Sequence, residues 1–206
     1  MIGILDYGLG NVTAFANIFG RLGITAQLVR TPAEVDQADR LILPGVGAFD
    51  WAMARFSASG LRDAVERAVN VHRRPILGIC VGMQMMLDAS EEGSSLGLGW
   101  VAGRVTKFVT PTGAPQFTLP HMGWNDVVPS GEQQLFRGIE TPRYYFLHSY
   151  RAVPSDRDHV IATADYYGSF AAAIRADNVL GTQFHPEKSH GWGIELLRNF
   201  ATVERC

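Results

Sequence analysis

The sequence contains little cysteine: among its 206 residues only Cys80 and the last residue, Cys206, carry a thiol. Two cysteines do not make a disulfide framework. The chain also lacks C-x-x-C, H-x-H and H-E-x-x-H, the spacings typical of zinc sites, and it has no phosphate-binding Gly-x-x-x-x-Gly-Lys-Ser/Thr. Gly97-Leu98-Gly99 lacks the rest of a dinucleotide fingerprint. We therefore expect neither a metal nor a cofactor.

An excess of charge of one sign is also missing. The 18 basic and 20 acidic residues give a net charge of −2, which gives little support to a nucleic-acid or membrane-surface partner. No segment reaches the roughly 18 consecutive apolar residues that span a bilayer, and Asp6 interrupts the apolar N-terminus too early for a signal peptide. These features predict a cytoplasmic protein.

The chain is 47% hydrophobic, which is typical of a compact fold with a sizeable core. Short apolar runs at 2–5, 41–43 and 75–79 predict buried strands, and helical spacing of apolar residues predicts helices over 12–22 and 61–71. Alternating strands and helices indicate a mostly parallel sheet with helices on both faces. We predict one α/β domain over residues 1–206.

The second half has a different pattern. Segments 101–109, 144–150, 160–164, 170–174 and 179–184 look like strands separated by turns, and 193–200 like a closing helix. This pattern predicts an additional, partly antiparallel strand region.

Cys80 stands in Gly78-Ile79-Cys80-Val81-Gly82, where a buried strand turns into a helix that begins near Val81. This is the G-x-nucleophile-x-G elbow, in which glycines relieve crowding around a strained turn. The amide of Val81 would point to the position of an oxyanion, and the dipole of the helix favours a thiolate. Because most lone cysteines are structural, the glycine bracket is what favours a nucleophile here.

A cysteine nucleophile needs a base and a group that orients the base. His185-Pro186-Glu187 follows a predicted strand, and an extended Pro186 would place His185 and Glu187 on the same side. His72 and His159 lie in polar surroundings. The pattern predicts a Cys80-His185-Glu187 triad, although H-x-E by itself also fits a surface turn.

Pro44-Gly45-Val46-Gly47 forms a third glycine-rich element at the end of a strand. Two glycines around Val46 let its amide N–H turn outward, as an oxyanion hole requires. A simple tight turn explains the same residues.

These motifs together resemble the class I (triad) glutamine amidotransferases, a flavodoxin-like, three-layer family. Four further segments resemble its glutaminase subunits of imidazole glycerol phosphate synthase, so that the resemblance covers essentially the whole chain; they begin at Asp6, Pro44, Pro120 and His185. The sequence departs from the usual pattern at Trp51, Val81 and Ser149.

The resemblance implies that Cys80 attacks the side-chain amide of glutamine while the amides of Val46 and Val81 hold the oxyanion. Glutamine would bind to five residues: Gly47, Gln84, Glu92, Ser149 and Tyr150. The carboxylate of Glu92 suits the ammonium group of the substrate. The alternatives without a functional role are a polar surface position for Gln84 and an acidic residue at a helix end for Glu92.

The resemblance also supplies a consumer for the ammonia, a (β/α)₈-barrel cyclase subunit that makes imidazole glycerol phosphate and an aminoimidazole carboxamide ribotide in histidine biosynthesis. We expect a heterodimer with Asn11, Met122, Trp124 and Lys188 at the interface; Met122 and Trp124 fit a core position equally well. The alternatives are the glutaminase of another amidotransferase, such as pyridoxal phosphate synthase, a cysteine hydrolase that acts alone, and a non-catalytic binding module.

Overall fold

A computed structural model describes residues 1–109 and 118–204. The strands of the described residues are β1 (Ile2–Leu5), β2 (Ala26–Val29), β3 (Arg40–Gly45), β4 (Ile76–Cys80), β5 (Ala89–Ser90), β6 (Gly103–Lys107), β7 (His121–Asp126), β8 (Val128–Pro129), β9 (Arg143–His148), β10 (Tyr150–Pro154), β11 (Val160–Asp165), β12 (Ser169–Ala176) and β13 (Val179–Thr182). The α-helices are α1 (Val12–Arg21), α2 (Pro32–Gln37), α3 (Phe49–Ala58), α4 (Arg62–Glu66), α5 (Val81–Met85) and α6 (His190–Phe200).

A central sheet of eight strands has the order β2-β1-β3-β4-β13-β12-β11-β8. The first five strands are parallel, and β12, β11 and β8 continue the same sheet in antiparallel pairs. β1, β4 and β13 are buried along their whole length, as expected for strands covered on both faces. The predicted mostly parallel sheet is confirmed, and its antiparallel part extends the main sheet.

The helices form two groups around the sheet: α1 contacts α6, whereas α2 contacts α4 and α3 contacts α5. Right-handed crossovers along the strand order place these groups on opposite faces. One cluster of buried apolar side chains joins both halves of the chain, from Ile4 and Phe15 to Phe184 and Phe200. The carboxyl ends of β3 and β4 therefore meet at one edge, where ligands bind in such sheets.

Two smaller sheets explain the rest of the second half. β6 pairs with β10 and β5, and β7 pairs with β9 in antiparallel register, with Met122 opposite Leu147. The predicted strand 144–150 is wrong as a single element. It divides at Ser149, because β9 and β10 have different partners.

Other predicted bounds also need correction. Helix 61–71 is α4 followed by a π-helix (Arg67–Val71), and strand 179–184 ends at Thr182. The segment after His185 is a 3₁₀ turn (Pro186–Lys188) rather than extended chain, because proline suits the first position of a helical turn. None of the described helices has the length and apolar character needed to cross a membrane.

Candidate active site

Cys80 ends β4 and precedes α5 with φ 55° and ψ −111°, a backbone conformation that non-glycine residues rarely adopt. The glycines beside it permit close packing. A Cβ on Gly82 would lie 2.0 Å from the carbonyl oxygen of Leu43, and one on Gly78 would lie 2.7 Å from the nitrogen of Met83. The strained elbow predicted from the sequence is confirmed in its geometry. Val81 begins α5, so its amide N–H has no partner within the helix.

The Gly45-Val46-Gly47 turn lies directly against this elbow. A Cβ on Gly45 would stand 2.1 Å from the nitrogen of Gly82, and Gly47 has φ +85°. Only glycine fits both requirements without strain. Val46 is 38% exposed and faces the same cavity as Cys80.

His185 and Glu187 are both buried, and Nδ1 of His185 lies 2.9 Å from Oε1 of Glu187. The other oxygen of Glu187, Oε2, is buried without a hydrogen-bond partner among the described residues. Burial lowers the pKa of His185, but hydrogen bonds to the Cys80 side chain and to Glu187 outweigh burial and raise this pKa to about 10. The structure thus places Glu187 in contact with His185, and His185 in the same cavity as Cys80.

The His185 segment is held against β9. The amide of His185 donates to the carbonyl oxygen of Tyr145 at 2.9 Å. The hydroxyl of Ser189 donates to the carbonyl oxygen of His185 and accepts the amide N–H of Tyr145. The sequence predicted an extended segment with His185 and Glu187 on the same side. In the structure these hydrogen bonds hold the segment in a tight turn, which brings the two side chains together.

The sulfur of Cys80 opens into a cavity of about 260 Å³. It is lined by Val46, Gly47, Cys80, Val81, Gln84, Glu92, Pro120, Leu147, His148, Ser149, Tyr150, His185 and Lys188. All the residues predicted to bind substrate are in this set. Pro120, Leu147 and His148 were not predicted as site residues, although they lie in or next to segments that were quoted for the resemblance.

Glu92 has a second contact besides the cavity. Its Oε2 accepts the amide N–H of Phe49 at 2.9 Å, at the start of α3, whose own N-cap side chain makes no such bond. In the opposite direction, the carboxylate of Asp50 accepts hydrogen bonds from the amide N–H groups of Ser94 at 3.0 Å and Ser95 at 2.9 Å. These two carboxylates fix the segment of Glu92 to the helix that follows the glycine turn.

Gln84 is buried, which excludes the surface alternative, and both N–H groups of its side-chain amide are occupied. Nε2 donates to the carbonyl oxygen of Tyr150 at 3.2 Å and to Oε1 of Gln183 at 3.0 Å. Only its Oε1 is left to face a ligand, as an acceptor. Gln183 itself was not identified as a site residue from the sequence, where it lay within a predicted strand.

His148 on β9 lines the cavity, and a second buried histidine, His121 on β7, contacts it. Nδ1 of His148 donates to the carbonyl oxygen of Tyr150 at 2.8 Å, so its Nε2 accepts from Nδ1 of His121 at 2.9 Å. Burial lowers the pKa of His121 to about 4 and that of His148 to about 3. Both rings are therefore neutral at pH 7, and neither was identified from the sequence.

Of the four residues predicted at a partner interface, Lys188 lines the cavity, and Met122 pairs with the lining residue Leu147 across β7 and β9. Met122 is 65% and Trp124 37% exposed, which excludes the core alternative for both. Trp124 stacks on His190 with ring centroids 5.3 Å apart, and Nζ of Lys188 lies 5.8 Å from the ring centroid of Tyr145. Exposed Asn11 caps α1. Within the described parts of the chain, no cluster of histidine, cysteine and carboxylate side chains could hold a metal ion.

Comparisons with known proteins identify the family of the chain. The model of the family "Glutamine amidotransferase class-I" matches residues 3–203. The "Imidazole glycerol phosphate synthase subunit HisH" of Bdellovibrio bacteriovorus is 50% identical over 98% of this chain and 100% of its own length. A protein of Pseudomonas aeruginosa with the name "Imidazole glycerol phosphate synthase subunit HisH 2" is 43% identical over 98% of this chain and 100% of its own.

Among solved structures, a glutamine amidotransferase superimposes with a TM-score of 0.74 at 20% identity, covering 98% of this chain and 99% of its own. The PurLQS structure from Thermotoga maritima gives 0.70 at 16% identity, covering 97% of this chain and 96% of the matched one. At these identities the structures show a common fold. The full-length sequence matches show that the chain belongs to the class-I glutamine amidotransferases, in the family of HisH subunits of imidazole glycerol phosphate synthase.

Proposed function

We propose that the cavity at Cys80 is the site where this chain hydrolyses glutamine. Membership of the family makes the chain a glutamine-hydrolysing subunit of imidazole glycerol phosphate synthase, an enzyme of histidine biosynthesis. The observation that carries the assignment to this site is that buried His185, whose Nδ1 lies 2.9 Å from Oε1 of Glu187, lines the same cavity as Cys80. It is the arrangement that an activated cysteine nucleophile requires.

In the proposed reaction the Cys80 thiolate attacks the side-chain amide carbon of glutamine. The negative charge that develops on the amide oxygen is held by the N–H groups of Val46 and Val81. His185 then gives its proton to the leaving nitrogen, ammonia departs, and a glutamyl thioester remains on Cys80. His185, now neutral, takes a proton from water, which attacks the thioester and releases glutamate. Glu187 keeps the imidazole oriented throughout.

The remaining lining residues position the substrate. The carboxylate of Glu92 is proposed to bind the ammonium group of glutamine, and Oε1 of Gln84 accepts one of its N–H groups. Gly47, Ser149 and Tyr150 present main-chain and side-chain polar groups to the rest of the substrate. The cavity of about 260 Å³ fits one amino acid of this size.

The ammonia is proposed to pass to a cyclase subunit with a (β/α)₈ barrel, in a heterodimer. The relatives are named as subunits of a synthase, which implies a second chain. Asn11, Met122, Trp124 and Lys188 are the proposed contacts, supported by the exposure of Met122 and Trp124 and by the place of Lys188 in the cavity lining. We also propose that residues 1–206 form one domain, supported by the continuous core, and that it works in the cytoplasm, as a biosynthetic enzyme.

The proposal is tested by glutamate release from the isolated chain, from the complex with the cyclase, and from the complex with its nucleotide ligand. A turn between two glycines can hold the Val46 N–H toward or away from the oxyanion with a small energy difference. Loss of one oxyanion donor costs roughly 10²–10³ in turnover. We expect slow release by the chain alone and stimulation by the liganded complex. Full activity of the isolated chain would contradict this gating, and no release under any condition would contradict the glutaminase assignment.

A further inference from the structure

Gln183 is fully buried two residues before His185, and the proposed triad mechanism gives it no role. Its side-chain Nε2 lies 3.7 Å from Sγ of Cys80, within the range of a hydrogen bond to the large sulfur atom. Its main chain is fixed as well, because the amide donates to the carbonyl oxygen of Ala172 at 2.9 Å. A side chain held this firmly beside the proposed nucleophile calls for a chemical explanation.

The orientation of the Gln183 amide follows from a backbone carbonyl. The oxygen of Tyr150 can only accept hydrogen bonds, so the Gln84 atom 3.2 Å away must be its NH₂ group. The second N–H of that group meets Gln183 at 3.0 Å, and its partner there must be the acceptor Oε1. Gln183 therefore presents its NH₂ group, a donor, to the sulfur of Cys80.

The sulfur has two kinds of neighbour. A neutral thiol can donate its S–H to the carbonyl oxygen of Leu147, 3.9 Å away. A thiolate has no proton to donate, so the hydrogen-bonding groups that stabilise it are donors. The Gln183 amide supplies such a donor, and His185 lines the same cavity.

We propose that Gln183 is a further catalytic residue, whose amide N–H donates to Sγ of Cys80 and stabilises the thiolate before attack. Gln84 is then a positioning residue, because its bond to Oε1 prevents the Gln183 amide from turning its oxygen to the sulfur. This inference rests on the proposed role of Cys80 as nucleophile. It extends the triad to a donor that faces the sulfur from the residue following β13.

The test is alkylation of Cys80 by iodoacetamide as a function of pH, in the full chain with Cys206→Ser so that one thiol reacts. Gln183→Met keeps the length of the side chain and removes the donor. We expect its alkylation rate at pH 7 to fall about 10-fold or more, as for loss of a hydrogen bond to a charged group, with the rate profile displaced to higher pH. An unchanged profile would overturn the proposal.

The ionisable side chains around the sulfur are Glu92, His148, Tyr150, His185, Glu187 and Lys188, and the variant alters none of them. Thr182→Val is the matched control. Thr182 precedes Gln183 in the sequence and is equally buried, but its hydroxyl donates to the carbonyl oxygen of Phe184 rather than to the sulfur. We expect its profile to match the parent. An equal displacement in the control would assign the effect to general disturbance and overturn the proposal.

Gln84→Met keeps the proposal testable if Gln183→Met does not fold. It should slow alkylation in the same direction but less, because the donor remains and only its orientation is lost. A wild-type profile in Gln84→Met would contradict the positioning role. Alkylation needs no glutamine turnover, so its outcome is independent of whether the substrate is glutamine. Glutamate release by Gln183→Met in the complex with the cyclase should show a lower kcat with a nearly constant KM.

Discussion

The two regions that meet at the cavity are constructed differently. On the parallel side, β3, β4 and the start of α5 place Cys80 and the turn at 45–47 by main-chain geometry, with backbone atoms so close that a Cβ would collide at Gly45 and Gly82. On the other side, β7 and β9 supply side chains, chiefly His121 and His148, which are fixed by a sequence of hydrogen bonds. The position of the proposed nucleophile thus depends on the backbone, and its surroundings depend on polar side chains.

Removing the proposed nucleophile gives the largest expected effect. Cys80→Ala should lower glutamine hydrolysis by at least roughly 10³-fold, because no other group can form the thioester. The complex should still use added ammonia, since the cyclase does not need the triad. Glutamate release and ammonia-dependent product formation measure the two reactions. Persistent glutamine turnover would show that Cys80 is not the nucleophile.

Neutralising the carboxylate that is proposed to orient His185 tests the part of the site that depends on polar side chains. Glu187→Gln retains the shape but loses the charge that stabilises protonated His185, and turnover should drop roughly 10²–10⁴-fold. Steady-state kinetics should show little change in KM for glutamine. A large change in KM at constant kcat would instead place Glu187 among the substrate-binding groups.

Adding a methyl group at a glycine of the elbow tests the part of the site that depends on close packing of the main chain. Gly82→Ala places a Cβ 2.0 Å from the carbonyl oxygen of Leu43, and overpacking of this kind should cost about 3 kcal/mol of stability or more. Gly20→Ala is the control: it lies exposed in α1 with no atom within 4 Å of the added Cβ, and it should stabilise by about 0.5 kcal/mol. Thermal or urea unfolding measures both. Equal stability of the two variants would contradict a close-packed elbow.

The buried histidines should make stability fall in acid. His121 and His148 are neutral in the folded protein down to pKa values of about 4 and about 3, whereas the unfolded chain takes up protons near pH 6.5. Below pH 6.5 each histidine should therefore cost about 1.4 kcal/mol per pH unit. The raised pKa of His185 acts in another window: its stabilisation is present below pH 6.5 and lost as pH rises toward about 10.

Urea unfolding between pH 7 and pH 5 measures this slope. His121→Asn should reduce it, and His72→Asn should not, because His72 is exposed at a helix end. The same slope in both variants would show that the β7–β9 histidines are not responsible.

The same division explains what the sequence could predict. Continuous apolar runs and bracketing glycines are local signals, and they identified β1, β3 and β4, the elbow at Cys80 and the turn at Val46. Gln183, His121 and His148 acquire their chemistry only from residues distant in sequence, such as Gln84 and Tyr150, so no local pattern could reveal it. The residues that the resemblance implies for substrate binding all line the cavity, but the resemblance did not predict the division of strand 144–150.

Helix α3 obtains its first acceptor from Glu92, 43 positions further along the chain, while Asp50 of α3 serves the amides of residues 94 and 95. Each segment therefore supplies the carboxylate that accepts main-chain N–H groups of the other. In a chimera between relatives, exchanging residues 44–58 without residues 90–95 would leave an uncapped amide beside the oxyanion turn wherever the second parent lacks the matching carboxylate. The two segments should therefore be inherited from one parent, and recombination libraries of such subunits should treat them as a single block.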